Sequence, residues 1–410
     1  MINPVSLTTR HNHNIMSSAA IAQAPPIFNI RTASRLDGIE EYYFSQKLRE
    51  IAVMRSEGKP VINLGIGSPD LPPSPATVEE LAEQSRRPDQ HAYQSYAGTP
   101  ELRQAFAKWY LDWFGVTLHP DKEILPMIGS KEGIMHIAMT YLEAGDEALV
   151  PDPGYPTYRA ATALTGATVR TYALSEESRW LPDLDALAAT DLSRVKIMWI
   201  NYPHMPTGAQ ADKGFFSDLV AFAKAHHILL VNDNPYAFIL NENPLSLLST
   251  EGAKDVALEL NSLSKSHNMA GWRVGMLAGN ADFLRDVLRF KSNMDSGMFK
   301  PLQLAAARAL ESPASWYGEL NEIYRRRRDK AFALLNLLEC RYDTMQTGMF
   351  VWAKIPDAYE TAYALSDQIL YQNHVFLTPG GIFGNQGARY VRVSLCSDES
   401  TFETAIARIV

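Results

Sequence analysis

Ser262-Leu-Ser-Lys265-Ser-His-Asn-Met-Ala-Gly271-Trp-Arg273-Val-Gly275 is the stretch from which fold and chemistry are read. It follows an apolar run, Val256 to Leu260, which predicts a buried strand. A lysine just past such a strand, among serines and glycines, is poorly explained by packing, because lysine is seldom buried without a partner. The small neighbours let a bulky group approach the backbone. Arg273, eight residues on, adds a planar fork suited to phosphate. Taken alone, an exposed loop lysine and a surface arginine also account for these two residues. The reading therefore depends on what else the chain brings to them.

Three further apolar runs, Glu147 to Val150, Val195 to Ile200 and Ile228 to Val231, read as strands. Helical patterns stand between them, Phe215 to His226 among these, and such alternation implies a mainly parallel sheet. Ligands bind beyond the carboxyl ends of parallel strands. Asn201, Asp233 and Ser262 each come within two residues of the end of a run, so residues far apart in sequence converge on one edge. Gly129-Ser130-Lys131-Glu132-Gly133 opens an amphipathic helix whose first N–H groups form an anion site, although capping alone also explains Ser130. An amine beside a phosphate clamp fits one chemistry, pyridoxal phosphate carried on lysine as a Schiff base.

The remaining chain supplies candidates and a frame. Gly38 to Glu57 predicts a helix with Tyr42, Phe44, Leu48, Ile51 and Met54 on one side, stopped by Gly58-Lys59-Pro60. Val61 to Leu64 predicts a short strand, followed by the glycine turn Gly65 to Asp70. Tyr93 lies in a loop before a helix that begins near Glu101. Tyr155, in Pro151-Asp-Pro-Gly-Tyr155-Pro, is an aromatic pre-positioned by prolines and glycine. The segment Arg289 to Pro301 is expected near the site entrance, with Lys300 a candidate cation for an acidic side chain, although a solvated lysine explains it too. Ser315 to Leu338 predicts a long helix whose Arg325–Arg328 run is expected on a solvated or interface face. Phe350 to Ile355, Val375 to Leu377 and Arg389 to Leu395 read as strands around a helix from Thr361 to Gln372. Arg392, inside the last strand, needs a partner.

Composition narrows the class. A chain of 410 residues, 46% hydrophobic, is long enough for a large α/β domain with a smaller companion. A net charge of -8 argues against general nucleic-acid binding. Two cysteines, Cys340 and Cys396, make no disulfide framework and no zinc cluster with histidine, so no metal is expected. No apolar run is long enough to span a membrane and no signal sequence is evident, which leaves the cytoplasm as the default. Residues 1–26, polar and containing His11 and His13, read as a disordered tail.

The stretch at Lys265 resembles the lysine motif of the class I/II aminotransferases, the fold-type I pyridoxal phosphate enzymes: S-x-S-K, then G-x-R-x-G. The likeness runs from about Ile30 to the C-terminus. It implies a fold-type I architecture, a large domain with a mainly parallel seven-stranded sheet between helices plus a smaller α/β domain. The boundaries expected are 70–300 for the large, cofactor-binding domain and 27–69 with 301–410 for the small one. It implies that Lys265 carries the cofactor and acts as base, and that Asp233 pairs with the pyridine nitrogen. Tyr236 would donate to the ring oxygen and Tyr155 would stack on the ring. Gly129, Ser130, Lys131, Ser262 and Arg273 would hold the phosphate, helped by Tyr93 from a neighbouring subunit in a homodimer. Gly67, Asn201 and Arg392 would bind the substrate carboxylate. Met205 departs from the family pattern N-x-P-x-N-P-T-G, which leaves Asn201, His204 or a water to compensate for a lost hydrogen-bonding side chain. The activity implied is amino-group transfer from an L-amino acid to a 2-oxo acid such as 2-oxoglutarate. The regions Gly65–Pro73 and Asn293–Phe299 look similar to enzymes acting on diaminopimelate, aspartate or methionine-like substrates. A carbon–sulfur lyase that works by β-elimination, or a non-catalytic cofactor-binding effector module, stands as the alternative.

Overall fold

The computed structural model describes residues 30–410 except 40 and 42. The expected N-terminal tail and Tyr42 lie outside the described residues. The strands in chain order begin with β1 (Ile62–Asn63), β2 (Ile124–Met127), β3 (Glu147–Asp152) and β4 (Thr168–Ala173). There follow β5 (Val195–Ile200), β6 (Leu229–Asp233), β7 (Ala257–Ser262) and β8 (Gly275–Gly279). Seven of these form one sheet in the order β2-β8-β7-β6-β5-β3-β4, parallel except for β8, which runs antiparallel to both β2 and β7.

The apolar runs are continuous because both faces of the sheet are covered. Along β5, Ile197 and Trp199 join one core with the helix Ser130–Tyr141, while Met198 and Ile200 join the opposite core with the helices Pro100–Phe114 and Lys213–His226. The edge strand β4 is buried on neither face throughout and reads as mixed. One residue breaks the apolar reading of β7: Glu259 is fully buried. Its carboxylate accepts hydrogen bonds from Tyr110 Oη (2.9 Å), Ser246 Oγ (2.7 Å), Asn232 Nδ2 (2.9 Å) and the Leu247 N–H (2.9 Å). A fully bonded buried carboxylate is tolerated where an unpaired one is not.

The C-terminal strands are β9 (Arg341–Tyr342), β10 (Phe350–Lys354), β11 (Val375–Phe376), β12 (Thr378–Pro379) and β13 (Tyr390–Ser394). They form an antiparallel sheet in the order β12-β13-β10-β9, backed by the helices Ala314–Leu337, Ala362–Asn373 and Glu399–Ile409, while β11 pairs in parallel with β1. That pairing carries the helix Tyr43–Ser56 and the Gly65 turn to the mouth of the large sheet.

Two expectations need correction. The first helix begins at Tyr43 rather than Gly38, and Leu48 does not join Ile51 and Met54 in the core: it is 44% exposed. The arginine run is not wholly a solvated or interface face. Successive helical residues point about 100° apart, so Arg325 and Arg326 meet Glu322 and Glu399 outside, while Arg327 turns inward. There it grips both oxygens of Asp70 (2.7 and 2.8 Å) and the Leu395 carbonyl (3.1 Å).

Candidate active site

The carboxyl ends of the parallel strands meet the C-terminal sheet around a cavity of about 410 Å³. Strand β2 delivers Ser130 and Lys131, β3 delivers Tyr155, β5 delivers Asn201, β6 delivers Asp233 and Tyr236, and β7 delivers Ser262 and Lys265. Arg273 stands at the entry to β8, and Gly67 and Arg392 close the far side. Two expected residues are elsewhere. Gly129 sits just behind the wall, and Tyr93 is 90% exposed and does not line this chain's cavity. Nor do residues 289–301 line it; Gly297 instead packs on the backbone of Gln94 and Ser95.

Lys265 donates from Nζ to the Gly67 carbonyl (2.9 Å). Burial holds its pKa below the usual lysine range, and the Arg392 and Arg273 charges lower it further, with Cys396 opposing. Asp233 accepts from Tyr158 Oη on Oδ2 (2.9 Å), whereas its buried Oδ1 has no hydrogen-bond partner among the described residues. Burial pushes its carboxyl up to about 6, with Tyr158 and the nearby Ser130 opposing the rise. Asn201 is anchored by two hydrogen bonds: Nδ2 donates to the Asp233 carbonyl and Oδ1 accepts the Met205 N–H (2.7 Å).

At the other end, Gly129 caps the helix Ser130–Tyr141 with φ 80° and no side-chain cap, which leaves the first N–H groups of that helix toward the cavity. A Cβ on Gly129 would collide with the Arg273 guanidinium. Arg273 itself has φ 57° and donates to the Ala270 carbonyl (2.8 Å). Ser262 Oγ is engaged within its own turn, with Ser264 Oγ at 2.8 Å and the Val274 carbonyl at 3.2 Å. Arg392 donates to the Gly65 carbonyl (2.8 Å) and touches Met205 Sδ (3.3 Å). Its guanidinium carbon lies 3.9 Å from the Phe350 ring centre, 4.7 Å from Phe383 and 5.5 Å from Phe44. His204 does not compensate for Met205. It bonds Thr207 (2.8 Å), and burial keeps it neutral, with a pKa of about 3.

Sequence reasoning missed Tyr158, although it stands in the first turn of the helix Pro156–Leu164 that Tyr155 caps, with the two ring centres 5.6 Å apart. It also missed the apolar wall of Ile66, Phe350 and Phe383. No local motif marks those residues.

The arrangement fits pyridoxal phosphate. An orphaned buried carboxylate oxygen awaits a cationic partner, a buried amine stands across the cavity from it, and a glycine-capped helix start faces an arginine. Fold and site together define a fold-type I pyridoxal phosphate enzyme. Residues 59–409 match the family described as aminotransferase class I and II. An LL-diaminopimelate aminotransferase of Dehalococcoides mccartyi (strain ATCC BAA-2266 / KCTC 15142 / 195) is 40% identical over 382 residues, 93% of this chain and 98% of that protein. An LL-diaminopimelate aminotransferase of Nitratidesulfovibrio vulgaris is 39% identical over 386 residues, 93% of this chain and 99% of that protein. Among solved structures, substrate-bound BacF from Bacillus subtilis superposes with a TM-score of 0.89 at 37% identity, covering 93% of this chain and 97% of that one. The chain belongs to the class I and II aminotransferases, and it is a pyridoxal phosphate-dependent aminotransferase.

Proposed function

We propose that the residues gathered at the strand ends divide the work of amino transfer, from an L-amino acid to a 2-oxo acid such as 2-oxoglutarate, as follows. When bound, pyridoxal phosphate supplies an aldehyde that takes the amino group and a ring that accepts the electron pair left at the substrate α-carbon. Gly129, Ser130, Lys131, Ser262 and Arg273 hold its phosphate, and Tyr155 lies against its ring. Asp233 Oδ1 keeps the ring nitrogen protonated, and Tyr236 donates to the ring oxygen. Lys265 Nζ takes the α-proton from the substrate and later returns it. Its lowered pKa suits that work near neutral pH. Arg392, with the Gly67 backbone and Asn201, orients the substrate carboxylate.

The observation that carries this reading is the Asp233 oxygen left without a partner among the described residues, across from the buried Lys265 amine. The direct test follows the cofactor's colour. The loaded protein should lose its yellow on addition of a donor amino acid and regain it with 2-oxoglutarate. Release of ammonia with pyruvate, and no recovery, would instead establish a β-elimination lyase.

The reading extends to the assembly. Tyr93, 90% exposed, is the residue offered to a second copy's phosphate site in a homodimer. Full activity of a strictly monomeric protein would remove that role. The chain divides into a cofactor domain over 70–300 and a small domain from 27–69 with 301–410. Cys340 and Cys396, both free thiols, support a cytoplasmic location.

A further inference from the structure

A second cavity, of about 690 Å³, shares no lining residue with the one that holds Lys265. One of its walls comes from residues 176–181 and 207–212, the other from residues 341–346 with β10 and β13. Arg179 and Trp180, consecutive on the first wall, have φ of 54° and 61°. The left-handed region is costly for a side chain as bulky as tryptophan, and such strain gathers at ligand clamps. Trp180 is held there by its N–H, which donates to the Ser175 carbonyl (2.7 Å), and by its carbonyl, which accepts from Tyr202 Oη (2.8 Å). Its ring stands edge-on to Trp352 and Tyr390, which stack on each other with centres 5.1 Å apart. Trp352 is 2% exposed, and its indole N–H has no hydrogen-bond partner among the described residues. A buried donor left unmade is costly, so the wall calls for an acceptor.

The charges around the opening are unevenly used. Glu176 accepts from Tyr390 Oη (3.1 Å) and faces Lys354 (3.7 Å). Asp212 caps a helix through the Phe215 N–H (2.8 Å), and Asp343 accepts the Met345 N–H (2.8 Å). The exposed guanidiniums of Arg179 and Arg341 form no ion pair or hydrogen bond among the described residues. Flat aromatic faces beside two free planar cations suit a ring that carries a carboxylate.

Three elements serve both cavities. On β10, Phe350 lines the active site and Trp352 the second cavity, on one face of the strand. On β13, Arg392 and Tyr390 are divided in the same way. The loop after β5 gives Asn201 and Met205 to the active site and Thr207 and Gly208 to the second cavity. Thr347 ties the walls together, its N–H and Oγ1 both donating to the Gly208 carbonyl (2.9 and 3.0 Å).

We propose that this cavity is a binding site for a small aromatic carboxylate, with the ring against Trp180 and Tyr390 and the carboxylate on Arg179 and Arg341, and that its occupancy is felt at the active site through the three shared elements. Only the effect on turnover rests on the amino-transfer reading; the binding does not.

The protein loaded with pyridoxal phosphate is titrated with 3-phenylpropionate and with the uncharged 3-phenylpropanol, and binding is read by calorimetry. The acid should bind more tightly than the alcohol by about tenfold or more, which is what charge-assisted hydrogen bonds are worth. The double variant Arg179→Ser/Arg341→Ser, altered at exposed positions, should lose about tenfold or more of the affinity for the acid while its kcat and KM in the absence of the acid match the parent's. At saturating amino donor the acid should change kcat of the parent and leave that of the double variant unaltered. Equal binding of acid and alcohol, undiminished binding in the double variant, or inhibition that saturating donor abolishes entirely would each overturn the proposal. Binding that the double variant loses, with kcat of the parent unaffected by the acid, would overturn the link between the cavities. A protein that binds the acid through these arginines yet transfers no amino group would uphold the binding site and sink the amino-transfer reading instead.

Discussion

Asp233 carries a charge that the folded chain disfavours. It is buried, its carboxyl is pushed up to about 6, and one oxygen has no partner among the described residues. A folded-state pKa above the unfolded value stabilises the protein at low pH, and that stabilisation is lost as pH rises through the folded value. In the cofactor-free protein the loss falls between about pH 4 and pH 6. Asp233→Asn, stripped of cofactor, should therefore be more stable than the parent above pH 6 by on the order of 2 kcal/mol, with the advantage fading near pH 4. Denaturant unfolding of both proteins across that range checks the sign. Equal stability at every pH would mean that the carboxylate is not strained. Asp233 stood out in the sequence through its place just past an apolar run and through the family resemblance, with a turn aspartate as the plainer reading. Tyr158, its hydrogen-bond donor, was not, since a tyrosine one turn into a helix looks like any core aromatic. Met205 was legible only as a departure. Its sulfur against Arg392 depends on β13 lying across the cavity, which no local signal carries.

At the scale of elements, the central strands were read correctly from continuous apolar runs because both sheet faces are covered, and Glu259 escaped notice because its four partners come from a helix, the neighbouring strand and the turn at Ser246–Leu247, all remote in sequence. The long helix Ala314–Leu337 shows what a local pattern cannot contain. Arg327 is expected outside from composition, yet it grips Asp70, at the end of the turn that also holds Gly67. Removing one partner of a buried pair leaves the other unpaired. Asp70 keeps 34% of its side chain exposed, which tempers the loss. Arg327→Ala is expected to lower stability by about 2 kcal/mol and to raise KM through the displaced Gly67 turn, with a smaller effect on kcat. Unfolding midpoints and steady-state kinetics on the same preparation report both. Unaltered stability would show that the clamp contributes nothing net.

Over the whole molecule, the parallel sheet brings residues from five strand ends to one edge, and the C-terminal sheet supplies Arg392 and the phenylalanines that enclose it. The fold class follows from the alternation of strands and helices in the sequence, which also brings the strand ends to one edge, while the roles on the cofactor side rest on the family resemblance. The substrate side does not. It is built where β1 joins β11 and the first helix overhangs the cavity, contacts set by tertiary packing alone. The central claim is that this architecture exists to present the Lys265 amine as the group that moves the α-proton. The most direct measurement compares single-turnover colour change in the parent and in Lys265→Ala, both loaded with pyridoxal phosphate and given the same amino donor. The account expects the variant to keep the cofactor at its phosphate end but to slow the proton-transfer phase by about 10²–10⁴-fold or more. A variant that turns over at a rate close to the parent's would contradict it.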